Sequence, residues 1–198
     1  QGLASAVTRA LLLDAYSKKY WQGSKRVEQF SFPIQWIITI PFVAIVVYAA
    51  ASDFQIQTIP NWTAVALALL FLPASYIWQL DGTETALRYS VGISLFAGGA
   101  LLFARGFIGG GDVKMIAATD LWFGWQGLLI YLFTVTLMGG VLALTVLILR
   151  KYFSTVPFLA DLPWMNDQPG QGQSLPYGVA IGTASIFLYF KLGPDAAV

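Results

Sequence analysis

Hydrophobic positions along the chain come in long charge-free runs, with no internal repeat and no heptad pattern. Gln29–Ser52 carries no charge, and its core from Ile34 to Ala51 is long enough to cross a bilayer. About 20 predominantly apolar residues suffice for that. Phe54–Leu80 is a second run, whose helix is expected to start at Pro60, a residue suited to a first turn. Tyr89–Ala104 is shorter and rich in small residues (Gly92, Ser94, Ala97, Gly98, Gly99), which let helices approach closely in lipid. Leu121–Leu149 is also uncharged but too long for one straight span, and a break at Gly124–Gly127 is expected. The piece before it, from Asp112 to about Phe123, then reads as a short helix. The last run, Gln168–Phe190, holds a helix from Pro176. The predicted fold is all-α, a polytopic membrane protein with about six transmembrane helices near 34–53, 60–80, 88–106, 112–123, 127–149 and 176–192.

Residues 1–33 differ. Leu3, Val7, Ala10 and Leu11 recur at helical spacing among Arg9, Lys18 and Lys19, as in an amphipathic interfacial helix. A basic tail is the plainer reading. The chain does not begin with Met, which fits a processed start or added residues. Residues 34–198 are expected to form one six-helix membrane domain, with an irregular loop between Arg150 and Leu175.

Composition narrows the chemistry. The chain of 198 residues is 57% hydrophobic and carries 11 Lys+Arg and 10 Asp+Glu. A soluble protein of this length would carry about 50 charges. A net charge of +1 without a basic stripe gives no sign of nucleic acid. There is no His and no Cys. Ser–His and Cys–His nucleophile pairs, Cys/His zinc sites and thiolate-bound iron–sulfur clusters are therefore excluded. No metal and no cofactor is expected.

Acids in or beside spanning helices are expensive and mark function by default. Three qualify: Asp53, Asp112 and Asp120. The chain leaves the face at Asp53, crosses twice and returns at Asp112, so these two share one membrane face. With no other nucleophile available, two carboxylates on one face point to an aspartic dyad. One carboxylate activates a water; the other, protonated, donates to the scissile carbonyl. Gly109, Gly110 and Gly111 fit an unusual backbone or the close approach of an extended substrate strand. Alone, Asp53 reads equally well as a polar helix end, and Gly109–Gly111 as a tight turn. Lys114 falls about 200° round the helix from Asp112 and should point away from the dyad. Asp120 lies about 12 Å further along, near the opposite face, where a solvated role is expected. Trp36, Trp62, Trp78, Trp122, Trp125 and Trp164 fall near span ends, as an interfacial belt requires.

Asp53 followed by Ile59-Pro60-Asn61, then Gly109-Gly110-Gly111-Asp112-Val113-Lys114, resembles the type IV prepilin peptidases, membrane aspartic proteases of the Gly-x-Gly-Asp kind. Leu175-Pro176-Tyr177-Gly178-Val179-Ala180 resembles the start of the family's last helix. The likeness covers roughly residues 34–192 and is strongest to the short branch serving tight-adherence (Flp-type) pili. It implies an inner-membrane endopeptidase that removes the basic leader of prepilins and pseudopilins after a glycine, at the cytoplasmic face. Asp53 and Asp112 match the catalytic pair, Gly109 and Gly111 the motif glycines, and Lys114 the lysine after them; Pro60 and Asn61 would support the site. The longer branch carries an extra domain and also N-methylates its products. Without cysteines or room for that domain, methylation is not expected here.

The implied orientation puts Arg105, Lys114, Arg150 and Lys151 inside, four cations against seven outside (Arg88, Lys191 and the five of the N-terminal tail). The positive-inside rule prefers the reverse, unless the tail is set aside. Two other readings stand beside the protease: a transporter or channel in which Asp53 and Asp112 bind a cation, and a protease cutting within transmembrane helices, whose Pro-Ala-Leu motif is missing here.

Overall fold

A computed structural model describes residues 32–153, 164 and 175–192. The chain divides into two compact units, residues 1–39 and 40–198. Of the first, only the start of a helix is described, so the expected N-terminal extension lies almost wholly outside the described residues. So does most of the loop after Arg150.

The described residues form six α-helices: α1 Phe32–Ile56, α2 Asn61–Ile77, α3 Gly82–Ala104, α4 Gly110–Asp120, α5 Gly124–Phe153 and α6 Tyr177–Leu192. Stretches within α1, α3 and α5 are long and apolar enough to cross a membrane; α2 and α6 are shorter apolar helices. Outward-facing Leu129, Phe133 and Ile93 are 78%, 68% and 66% exposed. Large side chains bared at that density need lipid rather than water around them. This is an all-α membrane protein.

Boundaries differ from expectation for identifiable reasons. The first helix does not stop at Asp53 but runs to Ile56. Pro60 is the extended residue before α2 rather than its first turn (φ −62°, ψ 136°). The third helix starts earlier than expected, because Asp81 caps it: its carboxylate accepts from the Glu84 amide at 2.7 Å. The break between α4 and α5 falls at residues 121–123, and Gly124, at φ +68°, already opens α5.

Within the larger unit, α4 packs against α2, α3, α5 and α6. Gly92 and Gly99, two turns apart on one face of α3, allow this. A Cβ at Gly99 would lie 2.5 Å from Val113, and one at Gly92 3.1 Å from the Ala117 carbonyl. The core beside α4 is aromatic. Trp122 is 3% exposed and sits 4.4 Å from Phe42 and 5.6 Å from Trp78, centroid to centroid. Trp122 and Trp164, both buried, are therefore core residues and not members of an interfacial belt.

Candidate active site

The end of α1 is tied down on several sides. Beyond Asp53 the helix makes one more turn, and Gln57, at φ 52°, returns its N–H to the Asp53 carbonyl at 2.9 Å. The Ser52 hydroxyl donates to the Thr58 carbonyl at 2.7 Å. Trp164 donates its indole N–H to the Phe54 carbonyl at 3.1 Å, satisfying one of the last carbonyls of the helix. Arg150 in turn donates to the Trp164 carbonyl. Asp53 is 6% exposed. Its Oδ2 accepts from the Gly178 amide at the start of α6, at 2.7 Å. A Cβ at Gly178 would lie 2.9 Å from that oxygen, so a glycine is required there.

Asp112 is the third residue of α4, and Gly109 is its cap. The carboxyl folds back and takes a backbone hydrogen bond from Gly109, half of a capping box. A Cβ on Gly109 would lie 2.6 Å from Asp112 Oδ2. A Cβ at Gly110 would lie 3.2 Å from the Phe103 ring, and one at Gly111 3.1 Å from the Ile59 side chain. Gly109 itself has φ −67°, an ordinary angle, and the glycines with positive φ among the described residues are Gly106 and Gly124. Close packing, not unusual backbone angles, accounts for these glycines.

Lys114 donates to Asn61 Oδ1 at 2.8 Å. That bond joins the start of α2, just past Pro60, to α4.

Asp112 lies in a helix of 11 residues, too short to cross a bilayer. Burial, and then the negative charge of Asp53, push its carboxyl up to about 7; the Gly109 bond opposes this. Asp112 thus feels the charge of Asp53 on α1. Ile116, one turn above Asp112, lines an apolar groove of about 630 Å³ together with Val113, Leu95 and Leu132. No group of three or more carboxylates able to hold a metal occurs among the described residues.

Two features escaped the sequence reading. Asp120 is not solvated but 1% exposed, and its Oδ1 has no hydrogen-bond partner among the described residues. Burial pushes it up to about 7, and the Arg88 guanidinium opposes that shift. Arg88, read as an outward cation, is itself 1% exposed and bonded to Glu84 at 2.9 Å. Tyr177, quoted in the last motif but given no role, places its phenol against Gly139 of α5, and the Asp112 carboxylate acts on it electrostatically.

The sequence pattern of the type IV leader peptidase family matches residues 40–144, which include Asp53 and the Gly109–Asp112 turn. The chain belongs to that family. It is 33% identical over 123 residues to a prepilin leader peptidase/N-methyltransferase of Aeromonas salmonicida, and equally to that of strain A449. Those 123 residues cover 57% of this chain and 42% of each relative, so the chain spans less than half the length of these relatives. No solved structure matches it significantly.

Proposed function

We propose that the chain is an aspartic endopeptidase that removes the leader of Flp-type prepilins and pseudopilins after a glycine, at the cytoplasmic face of the inner membrane. Family membership supports leader peptidase activity. The mechanism is supported by two acids each held by a backbone amide, with the Asp53 charge acting on the Asp112 carboxyl.

The roles follow from the electrostatics. Asp112, with its carboxyl near 7, is the protonated partner, and Asp53 is the carboxylate. Asp53 takes a proton from water as the water oxygen bonds to the carbonyl carbon. The C=O π pair moves onto the carbonyl oxygen, which takes the Asp112 proton. The C–N bond then breaks with its electron pair on nitrogen, which is protonated by Asp53. Asp112 recovers its proton as the new carboxyl forms. The pair ends as it began and consumes only water.

The apolar groove lined by Ile116 and Val113 of the Asp112 helix is suited to the hydrophobic segment that follows a leader. The polar leader would remain at the surface. Lys114 and Asn61 hold α2 to α4 and act as supports. The inward orientation rests on the cation count with the tail set aside.

The test is to purify the protein in detergent, add a Flp-type prepilin and map the new N-terminus by mass spectrometry. Cleavage directly after the leader glycine, unaffected by a chelator, is expected. Cleavage deep in the apolar segment, or activity that a chelator abolishes and metal restores, would overturn this reading.

A further inference from the structure

Two buried tryptophans serve the core in different ways. Trp122 is 3% exposed and packs against Phe42 and Trp78, and its indole N–H has no partner among the described residues. Trp164 is 2% exposed, and its indole N–H and its main-chain carbonyl are both engaged. The N–H reaches the Phe54 carbonyl at 3.1 Å, and the two rings lie 5.3 Å apart, centroid to centroid. The Trp164 carbonyl accepts from Arg150 of α5, from Nε at 2.8 Å and also from Nη2. Bonds from a charged donor are stronger than neutral ones, so this seat is firm. Trp164 forms a buried cluster with Val146, and Leu142, Leu149 and Leu175 pack against it. These contacts reach Asp53 from two directions. Phe54 follows Asp53 directly, so the indole holds the peptide next to the acid. The Leu175 carbonyl accepts from the Tyr177 amide at 2.7 Å, and the next residue, Gly178, gives its amide to Asp53 Oδ2. The backbone and the carboxyl of one acid are thus tied to the same indole.

We infer that Trp164, seated by Arg150, is a positioning residue that fixes the Asp53 carboxylate by holding the end of α1 and the start of α6 together, a role that rests on the peptidase reading of the site. Asp53 has to take a proton from water and return it to nitrogen in one orientation. That orientation is set by an amide on another helix. Two helix ends free to shift independently would stretch that bond, and a misplacement of about 1 Å can cost about 10²-fold in rate. Trp164 touches no reacting atom; it acts through Phe54 on one side and through the Leu175–Gly178 turn on the other. A ring needed for packing alone would not have to place its N–H on the carbonyl beside the acid, as Trp122 shows by leaving its own unbonded.

Trp164→Phe keeps a ring against Phe54 and removes the N–H. With the purified full chain and a Flp-type prepilin, kcat should fall about 10–10²-fold, while KM stays near the parent's. The deciding readout is the Gly178 amide, observed by NMR in detergent. The chain holds one Tyr-Gly step, so carbonyl-13C tyrosine combined with 15N glycine selects that amide alone. Its proton shift in Trp164→Phe should move toward the value in Asp53→Ala, where the carboxylate acceptor is gone. Arg150→Gln, which loosens the seat, should move it the same way by less, and should add little in the Trp164→Phe background. A Trp164→Phe protein whose kcat matches the parent's, or whose kcat falls with the Gly178 amide unmoved, would overturn the inference and leave the peptidase reading standing. A parent that cleaves no prepilin would overturn the peptidase reading instead, and the Gly178 shift would still show whether Trp164 holds that bond.

Discussion

The two ends of α4 carry the same residue in opposite settings. Asp112 and Asp120 lie in one short helix, and both carboxyls are pushed up to about 7 by burial. At the first end the neighbouring charge is another acid, Asp53, the carboxyl is half-buried, and Ile116, one turn further along, lines an apolar groove. At the second end the neighbouring charge is Arg88, and acid and guanidinium are each 1% exposed. Burial and a shifted carboxyl therefore do not separate chemistry from architecture in this protein. The sign of the facing charge and access from outside do. Like charges facing each other favour a shared proton, as the proposed mechanism requires. Opposite charges sealed in the interior make a brace that is costly to break from one side.

Substitution of the acid pair should separate the two ends most clearly. Asp53→Asn and Asp112→Asn should each lower cleavage by at least about 10²–10⁴-fold, the usual scale for losing a general acid or base. The double variant should be no worse than either single one, because the two act as a unit. Melting curves should show both variants folded. Substantial turnover by either would end the aspartic account.

At the other end the loss should fall on stability. Arg88→Met leaves Asp120 buried without its counter-charge and should cost about 3–5 kcal/mol in denaturant unfolding. Adding Asp120→Asn should restore much of that loss. Asp120→Asn alone should keep the activity per folded molecule close to the parent's. A large kcat loss with an unchanged melting temperature would move Asp120 into the catalytic machinery.

The glycines extend the contrast at a smaller scale. Gly109→Ala places a methyl 2.6 Å from Asp112 Oδ2 and should cut turnover by about tenfold or more without unfolding the protein. Gly124→Ala meets the Arg88 guanidinium at 2.7 Å and is strained at φ +68°, so stability should suffer first. Gly140→Ala, with nothing within 4 Å, should affect neither. Comparing folded yield with activity distinguishes the three.

Changing pH acts on both ends of the helix at once. The proposed mechanism needs the Asp112 proton, so activity should decline as pH rises through about 7. Stability should follow the same sign. Asp112 and Asp120 bind protons more tightly folded than at their ordinary value of 3.8, so the native state binds more protons than the unfolded chain between about 3.8 and 7. The stabilisation is complete below 3.8 and is lost as pH rises through about 7. In Asp112→Asn the activity limb cannot be read, but the stability slope should be shallower.

These contrasts also mark what the sequence could reveal. The apolar runs announced five of the six helices, because lipid demands long uncharged segments, whereas α4, with Asp112, Lys114 and Asp120 inside it, was legible only as the piece left before a glycine break. Asp53 and Asp112 stood out for the same reason, as acids at the margins of those runs. The boundaries were harder to read. One acid does not stop a helix whose flanks are apolar, so α1 continues past Asp53; and the Asp81 cap that starts α3 lies in a polar stretch that resembles a loop. Arg88 and Asp120 read as surface charges because a lone charge gives no hint of its partner, and these two sit on different helices, α3 and α4. The reason for Gly109 was hidden likewise. It depends on where the Asp112 carboxyl turns, which spacing does not specify. Tyr177 was visible as part of a motif, yet its notch at Gly139 exists only after α5 and α6 have packed.

The most direct test of the paired acids is to titrate the Asp112 carboxyl itself, by infrared difference spectroscopy with assignment from Asp112→Asn, in the parent and in Asp53→Asn. A carboxyl still protonated near neutral pH is expected in the parent. A clear downward shift is expected once the Asp53 charge is gone, and no comparable shift in Asp120→Asn. An Asp112 carboxyl that titrates identically with and without Asp53 would contradict the pairing on which the proposed chemistry depends.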